Sequence, residues 1–591
     1  MTKTMRTLAS AALLAALAAS CATAPASAPH NAIIFVADGL RYGSVTETDT
    51  PGFAAVQRDG VNFANSHSVY PTLTTVNAAA IATGHFAGDN GDFANSIYAG
   101  EPALPHASGS RLAGFEDDEI LADMDARFGG NYLNEQTLLA AAQARGYDVV
   151  SIGKSGPTGI QMRAVRSGGQ AIWIDESLGQ PGGPVLPADI AAALQAAHLQ
   201  LTPPQRALNN RAQQDWFAAV VSDVLLPRLR ASGRSFVILF WSPDPDSTQH
   251  AQTDDTTSLT PGINGPTARV AVAGASRDLQ RIRDALATNH LDATTNVFVT
   301  ADHGFATVSH ESRTSWAASR TYQGWPAGQL PPGFFAADLS HALGARLFTA
   351  TGAEIAPETQ IPRGAALIGA DAAHPQIIVA TNGGSDLIYL PNANVASLAP
   401  RIVQFLTTQD YVGAIFVADR FGTVPGALPL SAINLNGSAL TPQPAIVVSF
   451  RSFDTGCGNP EMCAAEIADT GYPMGGGMHG SLSRGETRNF MAAIGPDFRA
   501  GFVDPAPVSN ADLQRTIAHV LGLSIPTHGA LRGRVIAEAL PNGATPAFTP
   551  ETLRSAPAAN GFQTILNRQN VGDVHYSDAA GASGRAVGLR E

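Results

Sequence analysis

Ala32-Ile33-Ile34-Phe35-Val36-Ala37 is a short apolar run, rich in β-branched residues, that stops at Asp38-Gly39. A run of this length, closed by a turn pair, reads as a buried strand. The pattern returns at 148–152, 236–241 and 296–301, with helical patterns between the runs at 135–145, 211–231 and 268–289. That alternation predicts an α/β domain with a mostly parallel central sheet flanked by helices.

The organisation of the chain follows outward from that core. Residues 312–441 have Pro/Gly-rich joins and strand-like runs at 376–380 and 412–417, and read as an inserted cap subdomain. Strand and helix signals return at 445–450, 489–494 and 510–521 and are expected to close the main domain. The reading is therefore a leader at 1–20, a catalytic core at 31–311 and 442–541, the cap at 312–441, and a surface-wrapping tail at 542–591.

The chain has 591 residues, 14% of them charged, and a formal net charge of −13. With no basic cluster, binding to a nucleic-acid polymer is not expected. No apolar run reaches the length of a membrane span. At the N-terminus, Lys3 and Arg6 precede an apolar stretch that ends Leu17-Ala18-Ala19-Ser20-Cys21. This resembles a bacterial lipoprotein signal, with Cys21 acylated after cleavage; the competing reading is plain secretion with cleavage near Ala26. Either way an exported protein is expected, periplasmic or held at the outer membrane by the lipid on Cys21. In an oxidising compartment, Cys457 and Cys463 read as a short-loop disulfide.

Three of the predicted strands run into chemistry. The first ends at Asp38, the third at Asp244-Pro-Asp246-Ser-Thr-Gln-His250, and the fourth at Asp302-His303. Ligands of open α/β sheets bind outside the carboxyl ends of the strands, so these groups should share one edge. Carboxylates and histidines gathered there would repel without a cation, and a donor set of Asp and His suits Zn²⁺ or a similar metal. Between the first two strands lies Pro71-Thr72-Leu73-Thr74-Thr75-Val76-Asn77, followed by an Ala-rich helix former. A hydroxyl at that helix start, on Thr74 or Thr75, would feel the positive end of the dipole or merely cap the helix.

Together these residues resemble the alkaline phosphatase superfamily, in its type I phosphodiesterase/nucleotide pyrophosphatase branch. Asp38-Gly39-Leu40-Arg41 is similar to that family's Asp-Gly-Phe-Arg. Residues 71–77 are similar to Pro-Thr-x-Thr-Phe-Pro-Asn, 246–250 to Asp-Ser-x-Gly-His, and 300–304 to the Asp-His-Gly segment, while Met478-His479-Gly480 supplies the late histidine. The resemblance implies two divalent metal ions, Zn²⁺ by preference. Asp38, Thr74, Asp302 and His303 would hold one, and Asp246, His250 and His479 the other. It also implies Thr74 as nucleophile, Asn95 as a grip on a phosphoryl oxygen, and a small phosphate ester as substrate. Thr75-Val76 replaces Phe-Pro, so the phenylalanine that walls the base in nucleotide-cleaving members is missing.

Lys154 is the only lysine after the leader; the other basic residues there are all arginine. It follows the strand at 148–152, where a compact ammonium is suited to contact a substrate phosphate. A buried structural ion pair is the plain alternative. Relatives that cleave monoesters place a lysine in a comparable loop, followed two residues later by an arginine; here that position is Gly156. The functional expectation is a phosphodiesterase or pyrophosphatase, with a phosphomonoesterase using Lys154 as the alternative. A sulfatase lacks its Cys/Ser-x-Pro-x-Arg setting, and a binding-only lipoprotein has no reason to keep the full ligand set.

Overall fold

The computed structural model describes residues 30–166, 170–180, 182–356, 358–361, 364–392 and 397–591. The leader and Cys21 lie outside the described residues. The main sheet has eight strands. In chain order these are β1 (Asn31–Ala37), β2 (Val61–Phe63), β3 (Asp148–Gly153), β4 (Ala171–Asp175), β5 (Phe236–Ser242), β6 (Thr295–Thr300), β7 (Met491–Ile494) and β8 (Phe502–Asp504). Across the sheet they run β8-β2-β7-β6-β1-β5-β3-β4. The central strands β6, β1, β5, β3 and β4 are parallel, while β7 pairs antiparallel with both β6 and β2. This is the α/β architecture expected from the sequence.

All seven residues of β1 are buried, because helices cover both faces. Ile34 and Val36 face the cluster that contains α1 (Thr74–Thr83), and Ile33, Phe35 and Ala37 face the opposite one. Register then does the positioning. Ala37 lies opposite Ser242 on β5, Val36 opposite Thr300 on β6, and Gly153 on β3 opposite Trp241. The chain therefore leaves β1, β3, β5 and β6 at one level of one edge.

The run at 445–450 is a correction. It was expected to rejoin the main domain, but Ile446–Phe450 lies in a second, seven-stranded sheet, between the strands Ser385–Tyr389 and Val412–Val417. Within the tail, Thr549–Arg554, Ile565–Val571 and Val574–Gly581 form a three-stranded antiparallel sheet. Cys457 and Cys463 are joined in a disulfide. Among the described residues, no helix is long and apolar enough to cross a membrane.

Candidate metal centre

Beyond the strand ends, the chain turns sharply. Gly39 has φ +72°, and a Cβ there would lie 2.9 Å from the Phe305 ring. The turn therefore needs glycine. α2 (Asp246–Ala251) begins just after β5 and puts Asp246 and His250 on one face, four residues apart. Asp244 is not part of this group: its carboxylate accepts Thr248 N–H at 3.0 Å and Thr248 Oγ1–H at 3.1 Å. The family resemblance had pointed to Asp246 rather than Asp244.

Two buried groups result. Asp38, Asp302 and His303 form one, with His303 Nε2 3.2 Å from Asp302 Oδ2 and 3.6 Å from Asp38 Oδ1. Asp246, His250 and His479 form the other, with the two Nε2 atoms 3.1 and 3.4 Å from Asp246 Oδ1. The His303 and His479 rings stack at 3.6 Å, so the groups adjoin. Each histidine donates its Nδ1–H to a carbonyl 2.8 Å away: Gly477 for His250, Gly304 for His303, Thr72 for His479. That fixes the tautomer and turns every Nε2 lone pair inward.

The carboxylates are arranged the same way. Asp38 Oδ2 accepts from Lys154 Nζ at 2.9 Å and Trp241 Nε1 at 2.8 Å. Asp246 Oδ2 accepts from Lys154 at 3.1 Å, and Asp302 Oδ1 accepts the Gly39 and His303 N–H groups at 3.0 Å. The second oxygen of each, Asp38 Oδ1, Asp246 Oδ1 and Asp302 Oδ2, is buried without a hydrogen-bond partner. A buried acceptor left unmatched is unfavourable. Three of them facing three imidazole lone pairs fit two divalent cations.

Electrostatics agree. Burial, then the charges of Asp246 and Asp302, pushes the Asp38 carboxyl well up; burial takes Asp302 up to about 7. Burial would also raise Asp246, but the Lys154 ammonium holds it well below the usual range. Burial brings His479 down to about 4, so its ring is neutral and free to donate a lone pair at pH 7.

α1 begins at Thr74, with Leu73 as its N-cap and no side-chain cap. The two threonines are separated by their partners. Thr74 Oγ1 lies 3.3 Å from His303 Nε2, whereas Thr75 Oγ1 donates to Asp92 Oδ1 at 2.8 Å. Asn95 Oδ1 accepts Thr75 N–H at 3.0 Å, which leaves its amide nitrogen as the donor end at the start of the helix. Lys154 is 4% exposed; its ammonium touches one carboxylate of each group and lies 3.3 Å from Glu116 Oε1. All nine predicted site residues thus gather at one edge. Trp241 and Asp92 belong with them and carry no signal in the sequence, because each acts through a partner, Asp38 or Thr75, that only the fold brings within reach.

Residues 32–323 match the protein family described as type I phosphodiesterase / nucleotide pyrophosphatase. Over that span, just under half of the chain, the sequence is similar to that family. The match to this phosphodiesterase family spans β1 through β6 and the loops that carry all the clustered residues except His479. No curated protein matches the sequence. Solved structures similar to the chain include human ectonucleotide pyrophosphatase / phosphodiesterase 5, at 14% identity and TM-score 0.48, covering 86% of this chain and 99% of that one. An inactive variant of the murine protein in complex with AMP is similar at 14% identity and TM-score 0.49, covering 87% and 100%.

Proposed function

We propose that the chain hydrolyses small phosphate esters, diesters or pyrophosphates in preference to monoesters, through a phosphothreonine at Thr74. The observation that carries this reading is the set of three buried, unpartnered carboxylate oxygens aimed at inward-facing histidine Nε2 atoms beside the Thr74 hydroxyl. Asp38, Thr74, Asp302 and His303 would hold one cation and Asp246, His250 and His479 the other. Bound there, two divalent ions, Zn²⁺ by the donor set, supply the charge that favours an alkoxide and a departing oxyanion.

The chain's own groups do the rest. Thr74 Oγ1 forms the bond to phosphorus as the bond to the leaving oxygen breaks. The Asn95 amide donates to a non-bridging oxygen, and the N-terminal end of α1 adds its dipole there. Water then cleaves the phosphothreonine and frees Thr74. Because Thr75 occupies the phenylalanine position and its hydroxyl is bound to buried Asp92, no base-stacking wall arises from this segment. The substrate class is therefore phosphate esters at large rather than nucleotides alone. The purified protein with Zn²⁺ should hydrolyse a simple aryl diester faster than the matching monoester, and a nucleotide diester with no special advantage. No turnover of any phosphate ester would reject the reading.

Loading is expected to be pH-dependent, with a definite sign. With its carboxyl raised to about 7, the cation-free Asp302 carries a proton below that pH, and a cation must displace it. Zn²⁺ affinity should fall about tenfold per pH unit below 7 for each proton released. Calorimetry in buffers of different ionisation enthalpy checks this; affinity that rises on acidification would contradict it.

Lys154 favours the second reading, a phosphomonoesterase, because its ammonium stands between the two groups. Lys154→Ala is expected to lower kcat/KM for a monoester about tenfold more than for a diester, since the dianion depends more on the extra positive charge. Equal losses on both, together with reduced metal content, would leave Lys154 as a positioning residue for Asp38 and Asp246. Export is proposed with the function, on the leader and the disulfide; acylation of Cys21 is checked by mass spectrometry of the mature N-terminus.

A further inference from the structure

One buried carboxylate behind the candidate metal centre is tied to both of its groups. Glu486 lies on the short helix Arg484–Thr487 and is fully buried. Ser483-Arg484-Gly485-Glu486 has the sequence form of a capping box, in which the glutamate would bond the N–H at the head of its own helix. Here the side chain reaches further back. Its Oε2 accepts the Gly480 N–H at 2.6 Å and the Ser481 N–H at 2.7 Å, and lies 2.8 Å from Thr72 Oγ1. Oε1 accepts the Ser481 and Ser483 hydroxyls. The Thr72 hydroxyl is also 2.8 Å from the Ser481 carbonyl; of its two acceptors the carboxylate is the stronger.

These contacts close on His479 from two sides. Gly480 is its neighbour in the chain, and Thr72 offers the carbonyl that takes the His479 Nδ1–H. Thr72 also belongs to the segment that leads into Thr74. The other group is reached through the backbone. The Glu486 carbonyl accepts the Gly304 N–H at 2.6 Å, and the Gly304 carbonyl takes the His303 Nδ1–H. A Cβ at Gly304 would lie 2.3 Å from Gly485 O, so this approach needs glycine.

We propose that Glu486 is a positioning residue for the metal centre. Its carboxylate holds His479 and the segment before Thr74, and its backbone carbonyl holds His303. The proposal rests on the two-cation reading above. A ring whose Nδ1–H acceptor is itself pinned keeps its Nε2 aimed at the cation, which is how outer partners tune a metal site. Glu486 touches neither substrate nor cation.

The test is Zn²⁺ affinity, measured on the full chain by competition with a chromophoric chelator, so no turnover is needed. The wild type should show two steps, and His479→Ala identifies the step that belongs to the Asp246 group. Glu486→Ala should weaken that step about 10- to 100-fold, the usual cost of losing a partner behind a ligand. The Asp38 step should stay nearly as it was, because the backbone carbonyl remains. Thr72→Val removes one link and leaves the carboxylate in place. It should weaken the same step about fivefold, and it decides alone if Glu486→Ala does not fold. An unchanged step in both variants, whatever thermal unfolding shows, would overturn the proposal and leave Glu486 as a structural anchor of its turn. So would an equal loss at both steps, the mark of a lost charge alone. A wild type with no Zn²⁺ step at all would reject the two-cation reading itself, and this proposal with it.

Discussion

Thr74→Ala is expected to lower kcat for phosphate-ester hydrolysis on the order of 10⁴- to 10⁶-fold, the scale seen when a covalent nucleophile is removed. Thr74→Ser keeps a hydroxyl at the same helix start and should retain measurable turnover. Thr75→Ala supplies the contrast. Its hydroxyl is committed to Asp92, so the loss should appear mainly as stability, about 1–3 kcal/mol for a buried carboxyl left short of a donor, with activity within about tenfold of wild type. Steady-state kinetics and thermal unfolding of the three variants distinguish these outcomes. A strong activity loss in Thr75→Ala with a mild one in Thr74→Ala would move the nucleophile by one residue.

His479→Ala carries the next largest effect. It removes one of the three proposed ligands from the group built on Asp246, and the ring it deletes also stacks on His303. Zn²⁺ content should fall by one ion per chain and kcat/KM by at least about 10²-fold. Exhaustive chelation of the wild type should abolish turnover, with recovery on adding Zn²⁺. Full activity in protein shown to be free of metal would exclude the two-cation reading altogether.

Much of the fold could be read from the sequence where local pattern and chemistry coincide. β1, β3, β5 and β6 are compact apolar runs, and three of them end in the residues that cluster. His479 was identified only through resemblance, since nothing in Gly-Met-His-Gly marks a ligand without the partners that surround it. The run at 445–450 misled because an apolar strand does not announce which sheet it joins; pairing with Ser385–Tyr389 decides that. The tail hid its sheet for a different reason. Thr549–Arg554 is largely exposed, so its strand state comes from pairing with Ile565–Val571 rather than from an apolar pattern. Trp241 was read as core, and its indole N–H on Asp38 follows only from the register of β1 and β5. Lys154 stood out by its rarity, yet its contact with both carboxylates depends on Gly153, where a Cβ would meet Trp241 O at 1.8 Å.

The central claim is that the phosphoryl group passes through Thr74 beside two cations. Mixing the Zn²⁺-loaded protein with a diester in excess, quenching with acid within the first turnovers and mapping the peptides tests it most directly. The structure-based account predicts a phosphorylated peptide with the modification on Thr74, absent from Thr74→Ala and from metal-free protein. Phosphate on Thr75, or rapid turnover with no phosphorylated peptide at any quench time, would contradict it.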